Sequence, residues 1–112
     1  MAWIPLTSEA QLDEIVAKSA NKTQVIFKHS TRCSISAVAQ QRLQKAKFPE
    51  EIDFYYLDLI TYRSVSNQIA DRFHVHHESP QVLVIKDGKC VYDESHLAIS
   101  VDEILDQSNA AL

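Results

Sequence analysis

The segment FKHSTRCSISAVAQQRLQKAKF, residues 27 to 48, contains the junction that decides the fold. It begins as the end of a short apolar strand and continues as a helix. Apolar side chains recur in that helix at helical spacing, at Ile35, Val38, Ala39, Leu43 and Ala46. Pro49 ends the helical pattern. Cys33 lies where the strand passes into the helix, and Ser36 follows three positions later, so the junction predicts an accessible thiol at a helix N-terminus.

The composition fits one compact domain over residues 1–112, with 46% apolar residues and a net charge of −4. A mildly acidic chain argues against broad nucleic-acid binding, and no apolar run reaches the length of a membrane span. The first residues, MAWIPLTSEAQ, lack the basic and apolar regions of a secretory signal. We therefore expect the two cysteines to be reduced thiols and the protein to be cytoplasmic.

Helical and extended patterns alternate on both sides of the junction. TSEAQLDEIVAKSAN predicts a first helix with a capping box at Ser8 and Gln11, and TQVIFK predicts a buried strand after it. Asn21 is the expected site of a positive φ at the helix end. The stretch IDFYYLDL predicts another strand, and RSVSNQIADRF predicts a short helix.

The C-terminal third reads as a hairpin and a helix. PQVLVIKDGKCVYDES contains two strand patterns around Asp87 and Gly88, the strongest hairpin-turn signal in the chain. Ser100 and Glu103 predict a capping box for a final helix. Residues 3–6 are expected to add a short edge strand. The alternation implies parallel pairing and the hairpin implies antiparallel pairing, so the predicted fold class is α/β, a mixed sheet with helices on both faces.

Two motifs in this frame, HSTRCSIS (residues 29–36) and ESPQVLVIKDGK (residues 78–89), resemble the thioredoxin fold. More narrowly, CSIS together with VHHESPQVLVIKDGKCVY resembles the YtxJ-type bacilliredoxins, thioredoxin-like proteins that work with the low-molecular-weight thiol bacillithiol. The resemblance implies that Pro80 follows a cis peptide bond and faces the active cysteine. Ser36 replaces the second cysteine of Cys-x-x-Cys, and Ser34 stands where the bacilliredoxin pattern often has proline.

Cys33 is the predicted nucleophile. Unpaired N–H groups and the positive end of the helix dipole favour its thiolate, which is the reactive form in disulfide exchange. The alternative is a buried structural cysteine. The Ser36 hydroxyl can donate a hydrogen bond to the Cys33 sulfur, or it can simply be a polar residue of the first helical turn. With serine at this position, a second thiol molecule must complete the reaction.

The predicted substrate-binding residues are Arg32, Ser34, His77, Ser79 and Pro80. A cis Ser79–Pro80 bond would leave backbone free to pair with an extended substrate. Bacillithiol carries malate carboxylates, for which Lys28, Arg32 and His77 are candidate contacts. The run HVHHE, residues 74–78, alternates its histidines between two sides, so we expect no metal site and His77 facing the cysteine.

The leading hypothesis is a monothiol bacilliredoxin that removes bacillithiol from protein mixed disulfides. Its co-substrate would be bacillithiol, with no tightly bound cofactor, and its partners S-bacillithiolated proteins. One alternative is an iron–sulfur protein like the monothiol glutaredoxins, whose Cys-Gly-Phe-Ser site CSIS resembles. Another is a thioredoxin-fold stress or interaction module without redox turnover. Cys90, on the second hairpin strand, is expected to be a small core residue or, alternatively, a resolving thiol. A monomer is the expected state.

Overall fold

A five-stranded mixed sheet organises the computed structural model, which describes residues 3–30, 34–46 and 48–109, without the side chains of residues 34–36 and 109. The strands are β1 (Ile4–Pro5), β2 (Thr23–His29), β3 (Ile52–Asp58), β4 (Gln81–Lys86) and β5 (Lys89–Ser95). Their order across the sheet is β1-β3-β2-β4-β5. The pairs β1–β3 and β2–β3 are parallel, whereas β2–β4 and β4–β5 are antiparallel. The predicted mixed sheet and its short edge strand are confirmed.

Four α-helices cover the two faces of this sheet. They are α1 (Ala10–Lys18), α2 (Ser34–Lys45), α3 (Arg63–Phe73) and α4 (Val101–Asn109), with a 3-10 turn at His96–Ala98. On one face α1 and α3 bury Leu12 and Ile69 against the sheet. On the other, α2 and α4 bury Leu43 and Ile104. Successive strand residues point to opposite faces, so the apolar run of β2 supplies both cores.

Each predicted capping box forms one of its two hydrogen bonds. The Gln11 side-chain carbonyl accepts from the backbone N–H of Ser8 at 3.1 Å. At α4 the Ser100 hydroxyl accepts from the N–H of Glu103 at 3.4 Å. Both bonds satisfy donors that the start of a helix leaves unpaired. The sequence signal therefore located both helix starts to within two residues.

The expectation of a positive φ at Asn21 is wrong. The chain keeps turning after α1, and the N–H groups of Asn21 and Lys22 both bond to the carbonyl of Lys18, at 3.0 and 2.9 Å. This continuation does not require left-handed backbone. Positive φ occurs instead at His74 (56°), at His96 (57°) and through the hairpin turn of Asp87 (51°) and Gly88 (74°). Two successive positive φ values are what a type I′ hairpin turn requires.

An aromatic cluster fixes the N-terminal strand to the face covered by α2 and α4. The Trp3 ring lies 5.0 Å from Phe54, 5.5 Å from Tyr56 and 6.0 Å from Phe27, between ring centroids. The Tyr56 ring in turn lies 5.4 Å from His29, at the end of β2. Aromatic contacts of this kind add to the area that the rings bury. They explain why two residues of β1 suffice to complete the sheet edge.

None of the helices in the described ranges combines the length and apolar character needed to cross a bilayer.

Candidate active site

The ends of three strands meet where the predicted active-site segments leave the sheet. In the antiparallel ladder Lys28 near the end of β2 pairs with Gln81, the first residue of β4. His29 pairs with Asp58, the last residue of β3. The chain that leads to Cys33 and the loop that ends at Pro80 therefore adjoin the same end of the sheet. This register brings together the end of β2 and the start of β4, where Lys28 and Gln81 are 53 residues apart in the chain.

Several predicted site residues lie outside the described part of the chain. Arg32 and Cys33 belong to residues 31–33, which the structure does not describe. The side chains of Ser34 and Ser36 also lie outside the described part. In the sequence, Cys33 directly precedes Ser34, the first residue of α2. The predicted roles of these four residues remain predictions.

The loop before β4 contains the cis bond that the resemblance implied. The Ser79–Pro80 peptide is cis, and Pro80 is buried. The Pro80 carbonyl accepts a hydrogen bond from the N–H of His96 at 2.9 Å. The ring of His96 also lies 3.0 Å from the Glu78 carboxylate. The buried Ser79 hydroxyl has no hydrogen-bond partner among the residues that the structure describes.

Lys28 is fully buried, and its amine belongs to a polar network beside this loop. Its Nζ lies 2.7 Å from Nδ1 of His77 and donates to Oε1 of Gln81 at 3.2 Å. The other end of the Gln81 amide donates to the carbonyl of His76 at 3.0 Å. From α3, the Ser66 hydroxyl lies 3.5 Å from the same Nδ1 of His77. The network links β2, β4, α3 and the proline loop.

Burial sets the electrostatics of this network. Desolvation lowers the pKa of Lys28 from 10.5 to about 8, and the Glu78 carboxylate partly opposes that shift. The pKa of His77 is also lowered, first by desolvation and then by the positive charges of Lys28 and Arg63. At neutral pH these directions favour a charged Lys28 beside a neutral His77. Such paired, perturbed groups are typical of functional sites.

The expectation that Lys28 directly contacts a substrate carboxylate is wrong, because its side chain does not reach solvent. Sequence reasoning treated Lys28 as one of several positive charges near the thiol. The sequence could have predicted that Lys28 is buried, because it lies inside the apolar run VIFKH. A strand with both faces covered leaves no solvated position.

The three histidines of HVHHE take different positions. His74 is exposed and caps α3 in a left-handed conformation, and His76 is exposed with a side-chain accessibility of 91%. The ring of His77 contacts a buried group, the amine of Lys28. His77 therefore has different surroundings from His76, which is exposed. Within the described residues, no cluster of three or more metal-ligating side chains forms.

Cys90 is half-buried on β5, against the core on the α1 and α3 face. Its thiol donates to the carbonyl of Tyr92 at 3.3 Å. Cys90 pairs with Ile85 in the ladder. Ile85 lies four residues along β4 from Gln81, so Cys90 is about 13 Å from the end of the sheet where Lys28 and Gln81 lie. It lines a cavity of about 380 Å³ at the hairpin end of the sheet, with Phe73 and Gly88. Its environment is that of a partly buried structural thiol.

Solved structures of thioredoxins share this fold. A thioredoxin from Malassezia sympodialis superposes with a TM-score of 0.79 at 16% identity, covering 97% of this chain and 92% of that one. The thioredoxin of Fasciola hepatica gives a TM-score of 0.66 at 21% identity, covering 83% and 86%. At these identities the likeness concerns the fold. It establishes the α/β thioredoxin-like class.

More specific matches come from a solved structure and a family model. A structure described only as a candidate oxidoreductase with a thioredoxin fold has 33% identity and a TM-score of 0.81, covering 93% of this chain and 91% of that one. The family model of the monothiol bacilliredoxin BrxC matches residues 4–104. Together with the fold, these matches support a thiol oxidoreductase. The chain belongs to the monothiol bacilliredoxin family.

Proposed function

We propose that the protein removes bacillithiol from S-bacillithiolated proteins by thiol–disulfide exchange at Cys33. The observation that carries the proposal is the register of β2 and β4. It brings the chain leading to the single cysteine before α2 to the same end of the sheet as the cis-Pro80 loop. The family match supports the same assignment. Bacillithiol is the co-substrate in this proposal, and no tightly bound cofactor is required.

The reaction consists of two exchanges. In the first, the Cys33 thiolate attacks the bacillithiol sulfur of the mixed disulfide, a new S–S bond forms, and the client protein leaves as a thiolate that takes up a proton. In the second, the thiolate of another bacillithiol attacks the bacillithiol sulfur held on Cys33. Bacillithiol disulfide leaves and the Cys33 thiolate is restored. The disulfide is transferred at each step, so no external oxidant is needed.

The N-terminus of α2 is the proposed source of thiolate stabilisation. Cys33 directly precedes this helix in the sequence, and a helix N-terminus favours negative charge. In the proposal the Ser36 hydroxyl donates to the sulfur and cannot resolve the mixed disulfide as a cysteine would. This assigns the second step to a free thiol and makes the enzyme monothiol.

Substrate binding is proposed for Arg32, Ser34, His77, Ser79 and Pro80. Since the Pro80 carbonyl is bonded to His96, backbone pairing with an extended client falls to Ser79. We propose that the protein acts as a monomer in a reducing compartment, the cytosol.

A purified S-bacillithiolated client protein tests the proposal. With free bacillithiol present, wild type and Cys90→Ser should release the adduct, measured by intact mass, and Cys33→Ser should not. Without free bacillithiol, wild type should carry one bacillithiol on Cys33 after a single exchange. An S-glutathionylated copy of the same client measures the preference for bacillithiol. A client that keeps its bacillithiol with wild type, or loses it equally with Cys33→Ser, would exclude this function.

A further inference from the structure

The contact between Lys28 and His77 determines where the neutral imidazole carries its proton. A lysine ammonium has three N–H donors and no lone pair, so it can only donate. Its Nζ lies 2.7 Å from Nδ1 of His77, which must then be the unprotonated nitrogen. The Ser66 hydroxyl, 3.5 Å from Nδ1, can donate to the same lone pair. The ring proton is thereby assigned to Nε2.

The amide of Gln81 holds the amine in place for this contact. Its Nε2 group donates to the carbonyl of His76 at 3.0 Å, which leaves Oε1 to accept from Lys28 at 3.2 Å. The orientation of the amide is therefore determined by two partners. Because Gln81 is the ladder partner of Lys28, the sheet itself sets the direction in which the amine points.

The surroundings of His77 favour an anion on its outer side. His77 is exposed as a residue, and with Nδ1 turned to the buried amine, Nε2 is directed away from Lys28. Lys28 and Arg63 place positive charge near the ring. Glu78 adds a negative charge, but its carboxylate is held by the ring of His96 at 3.0 Å. A neutral N–H donor backed by two cations suits a carboxylate ligand.

We propose that Lys28 is a positioning residue that holds His77 as the neutral Nε2–H tautomer, so that His77 donates a hydrogen bond to a carboxylate of the low-molecular-weight thiol in the mixed disulfide. The proposal rests on the thiol–disulfide exchange proposed above. It adds the hydrogen bond by which His77 recognises the low-molecular-weight thiol, and the residue that positions His77. Lys28 acts through His77 and does not itself meet the substrate.

Nitrogen-15 NMR of the histidine rings tests the tautomer without any substrate. In wild type at neutral pH, the long-range nitrogen–proton spectrum should show His77 with a proton on Nε2 and none on Nδ1. Lys28→Met should mix the two tautomers and raise the pH at which His77 titrates, because a donor and a positive charge are removed. Lys86→Met is the matched control, since Lys86 is also buried but lies at the other end of β4. It should leave His77 unchanged.

Kinetics with two mixed disulfides of one client test the carboxylate contact. One carries bacillithiol and the other cysteamine, which has a thiol but no carboxylate. Lys28→Met and His77→Ala should each lower kcat/KM for the bacillithiol adduct roughly tenfold or more, through KM. Both variants should lose several-fold less kcat/KM with the cysteamine adduct, which offers no carboxylate to His77. The double variant should lose no more than either single one, and His76→Ala should behave as wild type.

Three results would overturn the inference: a proton on Nδ1 in wild type, a His77 tautomer that Lys28→Met leaves unchanged, or equal losses for both adducts. If Lys28→Met does not fold, the wild-type spectrum and His77→Ala still decide the tautomer and the carboxylate contact. Failure of the proposed function gives a different pattern. In that case no adduct turns over in wild type, although the His77 tautomer is as expected.

Discussion

At the scale of single residues, the environment of Cys90 makes it a poor nucleophile. Burial raises the pKa of its thiol to about 11, and the nearby Asp93 carboxylate acts in the same direction. Since the thiolate is the form that attacks a disulfide, almost none of the reactive form exists at neutral pH. This supports the structural assignment over the resolving-thiol alternative.

Alkylation of Cys90 should therefore be slow at neutral pH and should rise with an inflection near pH 11. The measurement uses Cys33→Ser, so that a single thiol remains, and follows iodoacetamide incorporation by mass. The same variant in urea should react with the pH dependence of a free cysteine, which controls for the reagent. An inflection at or below the free-cysteine value in the folded protein would contradict the burial argument.

The sequence predicted the site unevenly at this scale. The strand-to-helix junction predicted Cys33 and Ser36, and the resemblance supplied the cis bond before Pro80, which is confirmed. The sequence placed His77 near the proline loop, but it did not indicate that Lys28 is the buried partner of His77. A sequence pattern shows that Lys28 lies on a strand, yet only the pairing of β2 with β4 reveals Gln81 and His77 around its amine. That information is tertiary and has no local signal.

At the scale of elements, strong periodicity was the best guide. The helix predicted at residues 63–73 is observed with the same bounds, because Val65, Ile69 and Phe73 repeat every four residues and all are buried. The first helix is shorter than predicted and begins at Ala10, after Glu9. The 3-10 turn at His96–Ala98 was not predicted. Its positive φ falls on His96.

The hairpin between β4 and β5 depends on the only glycine of the chain, Gly88. Its φ is +74°, and an added Cβ would meet Val16 Cγ1 at 3.6 Å, an ordinary van der Waals contact. The penalty for a side chain here is therefore conformational and not steric crowding. Ser19 reinforces the turn, since its hydroxyl accepts from the Gly88 N–H at 2.7 Å.

Gly88→Ala should destabilise the protein by about 1 kcal/mol, the usual penalty for left-handed backbone in a residue with a Cβ. Gly88→Asn should lose less, because asparagine tolerates this conformation better. Urea unfolding measures both changes. Val91→Ala on β5, where the side chain is 49% exposed, is a control for small changes in the hairpin. Equal stability of Gly88→Ala and wild type would show that the turn adopts another conformation.

At the scale of the whole molecule, two apolar cores lie on opposite faces of one sheet. Lys28 interrupts the core between the sheet and α3, and its charged form is destabilised by burial. The folded pKa, about 8, is below the unfolded value of 10.5. Between these two values the unfolded chain binds more protons than the folded one. Stability attributable to Lys28 therefore rises as pH increases through this window.

The unfolding free energy of wild type relative to Lys28→Met should increase by about 3 kcal/mol between pH 7 and pH 10.5. Taking the difference removes contributions from groups that the substitution leaves unchanged, such as Tyr55, whose pKa burial raises to about 12. Leu57→Met is the matched control, because Leu57 is buried and pairs with Lys28 in the ladder. It should follow the wild-type pH dependence. Parallel curves for wild type and Lys28→Met would contradict the depressed pKa.

The overall architecture was predictable because its determinants are local and repeated. Alternating helices and strands imply crossovers, and Asp87–Gly88 implies an antiparallel end, which together give a mixed sheet. The strand order placing β3 between β1 and β2 follows from packing across the sheet and was not specified by any segment. The resemblance to the thioredoxin fold supplied what the local patterns could not.

Trp3 is the only tryptophan of the chain, so its fluorescence reports on one side of the protein. Trp3 packs against Phe27, Phe54 and Tyr56, on the face opposite α1 and α3. Its emission records whether the first strand is docked on β3. Lys28 follows Phe27 on β2, so its side chain points to the other face of the sheet, where His77 lies. Tryptophan fluorescence can thus follow detachment of β1 from the sheet, while NMR of the His77 ring follows the surroundings of Lys28 separately.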